Sequence, residues 1–151
     1  MAHASQPPPL RLVRVLPARP QEVFEAWTDP QSLAQWMCPG AIRETVAELD
    51  VRVGGRFRIV MRTDVYEVVH TGQYREITPP RRLVFTWSSS STRGRETLVT
   101  VELSPRESEE TELVLTQESL PDAEAFDAHQ RGWTQILEKL ASRLRNERRP
   151  T

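Results

Sequence analysis

The last quarter of this chain changes its hydrophobic period. Between Leu10 and Gln117 apolar residues recur mostly in steps of two, as in strands with one dry face. From Pro121 onward Phe126, His129, Trp133, Ile136, Leu137, Leu140 and Leu144 fall on one stripe at helical spacing. The pattern predicts a helix from about Asp122 to Arg145, roughly 36 Å long by helical rise. Asp122, Glu124 and Asp127 suit its positive N-terminal end, and Arg143 and Arg145 its C-terminal end. A helix with one apolar stripe must be covered, and the strands ahead of it offer apolar faces to cover it.

Those strands can be placed one by one. Leu10–Leu16 reads as the first, stopped by Pro17-Ala18-Arg19-Pro20. Pro20 suits a first helical turn, and Val23, Phe24 and Trp27 have helical spacing, so a short helix is expected over Pro20–Thr28. Asp29 can cap a second one, Pro30 through Trp36, which Pro39-Gly40 ends. Ile42–Val53 is an expected strand closed by Gly54-Gly55, a turn or bulge that needs positive φ. In Arg56–Arg62 the residues Phe57, Ile59 and Met61 point one way and Arg56, Arg58 and Arg62 the other, toward water. Further strands are expected over Val65–Ile77, over Leu83–Trp87, through Thr97, Val99, Val101 and Leu103, and through Leu113, Leu115 and Gln117. Ser88–Gly94 reads as a flexible hairpin loop. The short connections predict an antiparallel meander of about seven strands. The fold class is α+β: a curved sheet around one long C-terminal helix, with two short helices after the first strand. One domain over 10–145 is expected, with tails at 1–9 and 146–151.

Composition removes several function classes. Twenty Lys and Arg against 21 Asp and Glu leave a net charge of -1, too little field to hold nucleic acid. The single cysteine, Cys38, excludes an intramolecular disulfide and a thiolate metal cluster and suits a reducing compartment. No apolar run approaches the roughly 20 residues of a membrane span. The polar, proline-rich start does not read as a signal peptide, so a cytoplasmic location is expected.

A straight helix and a curled sheet leave room between them, and the side chains facing that room are large. Trp27, Trp36 and Met37 come from the two short helices, Phe57, Ile59 and Met61 from one strand, and Phe85 and Trp87 from another. Val99, Val101 and Leu115 complete the sheet side, and Phe126 and Trp133 the helix side. Such a wall favours an apolar or aromatic guest. Four polar groups share it. His70 and Tyr74 have the same strand parity, with Gly72 between them leaving space for the long helix or a ligand to approach. Gln117 sits at an inward position of an apolar strand and needs partners, whether Tyr74, His70, a ligand or another protein group. His129 lies one helical turn before Trp133 and faces the cavity or its rim. Gly132, inside the helix, suggests close packing on the sheet. His70 and His129 lack further ligands at metal spacing, and His3 falls in the tail, so neither a metal nor a cofactor is expected. No nucleophile motif or charged acid–base pair can be read, so no catalytic residue is assigned and binding is favoured over catalysis.

The motifs also carry a resemblance. They are Pro20-Gln21-Glu22-Val23-Phe24-Glu25-Ala26-Trp27-Thr28-Asp29-Pro30, Val51-Arg52-Val53-Gly54-Gly55-Arg56-Phe57, His70 to Ile77, Pro79 to Trp87, and His129-Gln130-Arg131-Gly132-Trp133. In this order, over Leu10 to Leu144, the chain resembles the SRPBCC superfamily, the START- and birch-pollen-allergen-like helix-grip fold. Within it the chain is most similar to the heat-shock-protein ATPase activator homologue-one-like family. The resemblance implies one of the roles found there: lipid carrier, polyketide cyclase, self-sacrifice resistance protein or co-chaperone domain. The first reading is a carrier, sensor or resistance protein for a small hydrophobic ligand, as monomer or homodimer. The alternatives are a cyclase or hydrolase using Tyr74 and His70 as acid and base, and a chaperone-interacting module linked to stress response.

Overall fold

The computed structural model describes residues 6–148. His3 and the outer parts of both expected tails lie outside them. The chain order is β1 (Leu10–Leu16), α1 (Pro20–Thr28), α2 (Pro30–Trp36), β2 (Glu44–Leu49), β3 (Arg56–Arg62) and β4 (Glu67–Thr78). There follow β5 (Arg82–Trp87), a short 3₁₀ turn (Ser90–Thr92), β6 (Thr97–Arg106), β7 (Glu110–Glu118) and α3 (Ala123–Arg148). The strands form one antiparallel sheet in the order β1-β7-β6-β5-β4-β3-β2. The first strand closes against the last, and the others follow as a meander, as the short connections require.

Local chemistry sets the element ends. Pro20 opens α1, and the Glu22 carboxylate accepts the backbone N–H of Arg19 at 3.1 Å. Pro30 opens α2, and Asp29 caps it by accepting from the Gln31 N–H at 3.0 Å. Asp122 accepts from the Ala125 N–H at 2.8 Å and starts α3, while its other oxygen takes the Arg93 guanidinium at 2.7 Å. Three expected segments shift. β2 is shorter than Ile42–Val53, because Asp50–Gly55 turns back on itself with the Gly55 N–H donating to the Arg52 carbonyl. β4 starts at Glu67, because the Thr63 hydroxyl accepts from both the Val65 and Tyr66 amides and extends the turn. The serine loop contains an ordered 3₁₀ turn: Thr92 is fully buried, and its hydroxyl reaches the Ser89 and Arg95 carbonyls.

The core lies between the sheet's inner face and α3. On α3 the buried positions are Ala125, His129, Trp133, Ile136, Leu137, Leu140 and Leu144. Ala125, rather than the half-buried Phe126, begins the fully buried stripe. The opposite sheet face carries exposed ion pairs such as Arg62 with Glu44 and Glu67 and Arg82 with Glu76 and Glu102. These keep the face wet and add little stability.

Candidate functional site

The register that pairs β3 with β4 decides which polar groups face α3. Phe57 pairs with Gly72, Ile59 with His70 and Met61 with Val68. β4 therefore turns His70, Gly72 and Tyr74 inward beside the apolar side of β3. At Gly72 the close neighbour is Phe57 rather than the long helix. A Cβ there would lie 2.0 Å from the Thr86 carbonyl oxygen and 2.3 Å from the Phe57 ring. The missing side chain leaves room for the Phe57 ring against β4, where it meets Trp87 at 6.0 Å and Phe85 at 5.5 Å between ring centroids.

The aromatic wall closes on itself. Trp27 packs edge-on against Trp36 at 4.8 Å and reaches Trp133 at 6.2 Å. Trp87 and Trp133 meet at 5.2 Å across the sheet–helix gap. The hollow bounded by Trp27, Phe57, Tyr74, Phe85 and Trp87 has a volume of about 10 Å³, room for about one water. Met37 and Ile59 line it too, with Leu33, Leu49 and Leu83, which the sequence reading did not single out.

A larger cleft, about 110 Å³, lies to one side of this cluster, between α3 and the β3–β4 side of the sheet. Of the expected residues it gathers Met61, His70, Trp87, His129 and Trp133. It adds Pro39, Ser91, Ala128, Gly132 and Ile136, none of them singled out as lining from sequence. Ile136 was visible in the helical stripe. Ala128 and Gly132 are detectable only as small residues one turn apart. The remaining expected residues lie elsewhere in the core. Trp36, Val99, Val101 and Leu115 are fully buried in packing, and Phe126 is half-buried at its edge.

Gln117 has its partners inside the protein. Its side-chain oxygen accepts from Trp133 Nε1–H at 2.8 Å, and its Nε2–H donates to the Thr97 hydroxyl at 3.0 Å. Thr97 donates on to the Trp87 carbonyl at 2.6 Å. The chain of bonds pins the middle of α3 to β7, β6 and β5 and fixes the Trp133 indole at the cleft wall.

The two histidines bring acceptors with spare capacity to the cleft. His70 is 7% exposed, stacks on Trp87 at 4.7 Å, and turns Nδ1 toward the Ile59 carbonyl at 3.4 Å. His129 is 9% exposed and turns Nδ1 toward the Ala125 carbonyl at 2.8 Å. A carbonyl only accepts, so Nδ1 carries the proton in each neutral ring and Nε2 keeps a lone pair. Burial lowers the His70 pKa from 6.5 to about 4, with the nearby His129 adding to the effect, and burial also lowers that of His129. Both rings are therefore neutral at pH 7. Burial raises the Tyr74 pKa, which keeps its phenol protonated. Among the described residues no three His, Cys, Asp or Glu side chains gather into a metal-binding group.

An open seven-stranded antiparallel sheet closed over a long C-terminal helix, with a cleft between them, is the helix-grip architecture of the SRPBCC superfamily. The chain belongs to the Activator of Hsp90 ATPase homolog 1-like protein family, whose model matches residues 17–145. Solved structures agree. Protein CV1439 from Chromobacterium violaceum is 30% identical with a TM-score of 0.78, over 91% of this chain and 98% of that one. The AHSA1 protein SPO3351 from Silicibacter pomeroyi is 28% identical with a TM-score of 0.77, over 93% and 99%. PFC0360w, an HSP90 activator from Plasmodium falciparum, is 25% identical with a TM-score of 0.73, over 90% and 95%. No curated protein matches the sequence. Folds of this type commonly bind hydrophobic ligands.

Proposed function

We propose that this protein binds one small, mainly apolar molecule in the cleft between α3 and the β3–β4 side of the sheet, as a carrier, sensor or resistance protein. The observation that supports this reading most is the cleft itself. Its volume is about 110 Å³, beside a central aromatic hollow of about 10 Å³. Met61, Trp87, Trp133 and Ile136 supply apolar wall, and among the described residues no charged side chain lines it. Apolar voids of roughly 150 Å³ in other proteins take benzene, so the space suits a single ring rather than a long acyl chain. The reading favours binding over catalysis because the wall holds two neutral imidazoles and no carboxylate. A single cysteine supports a reducing, cytoplasmic setting.

The test is a titration of the intact protein with single-ring compounds, followed by tryptophan fluorescence. Trp87 and Trp133 border the cleft, so a saturable change in emission is expected. Absence of saturation by every such compound would remove the reading.

A second reading, action on a chaperone ATPase, is supported by the likeness to the Plasmodium HSP90 activator. Stimulation of a purified HSP90-type ATPase by this chain would favour it, and an unchanged ATPase rate would count against it.

A further inference from the structure

Gly132 presents a problem of cost without a local cause. It lies inside α3, where glycine is less favourable than alanine by about 1 kcal/mol. No positive φ requires it, and a Cβ there would meet only the Pro39 Cβ, at 4.0 Å. The sequence pattern suggested close helix–sheet packing at this point, but the space is open. Gly132 and Ala128, one turn apart, instead leave a gap at the cleft where larger residues would fill it.

The second observation concerns hydrogen bonding. Nε2 of His70 and of His129 has no hydrogen-bond partner among the described residues, and the two residues, each at least nine-tenths buried, border the same cleft without sealing those atoms from it. Each Nε2 therefore keeps a lone pair free for a donor that enters the cleft. The cleft also touches Trp87, whose buried Nε1–H has no acceptor among the described residues. Acceptors and a donor around an uncharged apolar hollow complement a hydroxyl, which gives one hydrogen and accepts others. A carboxylate would find no positive partner in this wall.

From this we infer that the ligand is an uncharged single-ring molecule bearing a hydroxyl, of the phenol class, whose O–H donates to Nε2 of His70 or His129 and whose ring lies in the gap at Gly132. The inference rests on the binding reading above and sharpens it to a chemical class.

The probes are phenol, toluene and benzoate, titrated at pH 8 into the full-length protein and followed by tryptophan fluorescence and calorimetry. Phenol is expected to saturate with a Kd about tenfold below that of toluene, the net worth of one hydrogen bond. Benzoate is expected not to bind. In the doubly substituted His70→Phe, His129→Leu protein, phenol should lose this advantage while toluene still binds. Gly132→Ala should raise the Tm by about 2–4 °C and weaken phenol binding severalfold, a combination that a purely structural role for the glycine does not produce. Gly132→Val, if it folds with a native circular dichroism spectrum, should abolish binding of both ring compounds. Equal affinity for phenol and toluene, or a preference for phenol that survives loss of both imidazoles, would overturn the hydroxyl assignment and leave the binding reading standing. Failure of both phenol and toluene to saturate would overturn the two together.

Discussion

At Gly72 one absent carbon lets three rings meet. The residue faces α3 on β4, opposite Phe57, and any Cβ would strike both the Phe57 ring and the Thr86 carbonyl. The ring could shift, but the backbone oxygen belongs to the paired strand and cannot. Gly72→Ala is therefore expected to destabilise by about 3 kcal/mol, read as a lower urea midpoint at constant slope. A midpoint unchanged from wild type would show that the sheet can absorb the methyl group. Gln117 presents the converse case, a polar side chain that the core requires. In Gln117→Met the apolar volume is kept but Trp133 Nε1–H loses its acceptor, so a loss of about 1–3 kcal/mol is expected. Equal stability of that variant would mean the indole finds another acceptor. Strand parity alone placed Phe57, His70 and Tyr74 on one face, and the inward Gln117 was visible the same way. Their partners were not. Parity states which way a side chain points, whereas the meeting of Gln117 with Trp133 depends on where α3 crosses the sheet.

The elements were more legible than the contacts. Pro20 and Pro30 mark helix starts because a missing N–H costs nothing in a first turn, and both helices begin there. The stripe on α3 was readable because covering it dominates the energetics of that segment. Leu140, fully buried toward the C-terminal end of the stripe, should lose about 2–5 kcal/mol on change to Ala. A loss under 1 kcal/mol in thermal unfolding would imply that α3 is held elsewhere. The Ser88–Gly94 segment misled for a physical reason. Four serines, a threonine and a glycine have the composition of a solvated loop, but the Ser89 and Thr92 hydroxyls bond the loop's own backbone and bury Thr92. That turn places Ser91 at the cleft rim, so the misread loop also hid part of the candidate site.

Across the whole molecule the sequence showed that large aromatics line the space between sheet and helix, but not how much of that space they fill. Interlocking of Trp27, Phe57, Trp87 and Trp133 reduces the central hollow to room for about one water, and the open volume moves sideways to the histidines. That displacement makes stability depend on pH. Folding holds His70 neutral, with its pKa lowered from 6.5 to about 4, and lowers that of His129 as well. The unfolded chain takes up these protons first. The stability that neutral rings allow is therefore present above pH 6.5 and is lost as the pH falls toward 4. Between pH 6.5 and 5, above the range where ordinary carboxylates titrate, the His70 contribution alone should fall by about 1.5 kcal/mol. Urea unfolding at several pH values across this window measures it. In His70→Gln, which cannot take up the proton, the slope should shrink to the share left by His129. If wild type and variant lose stability in parallel, the acid sensitivity comes from groups other than the buried imidazole on β4.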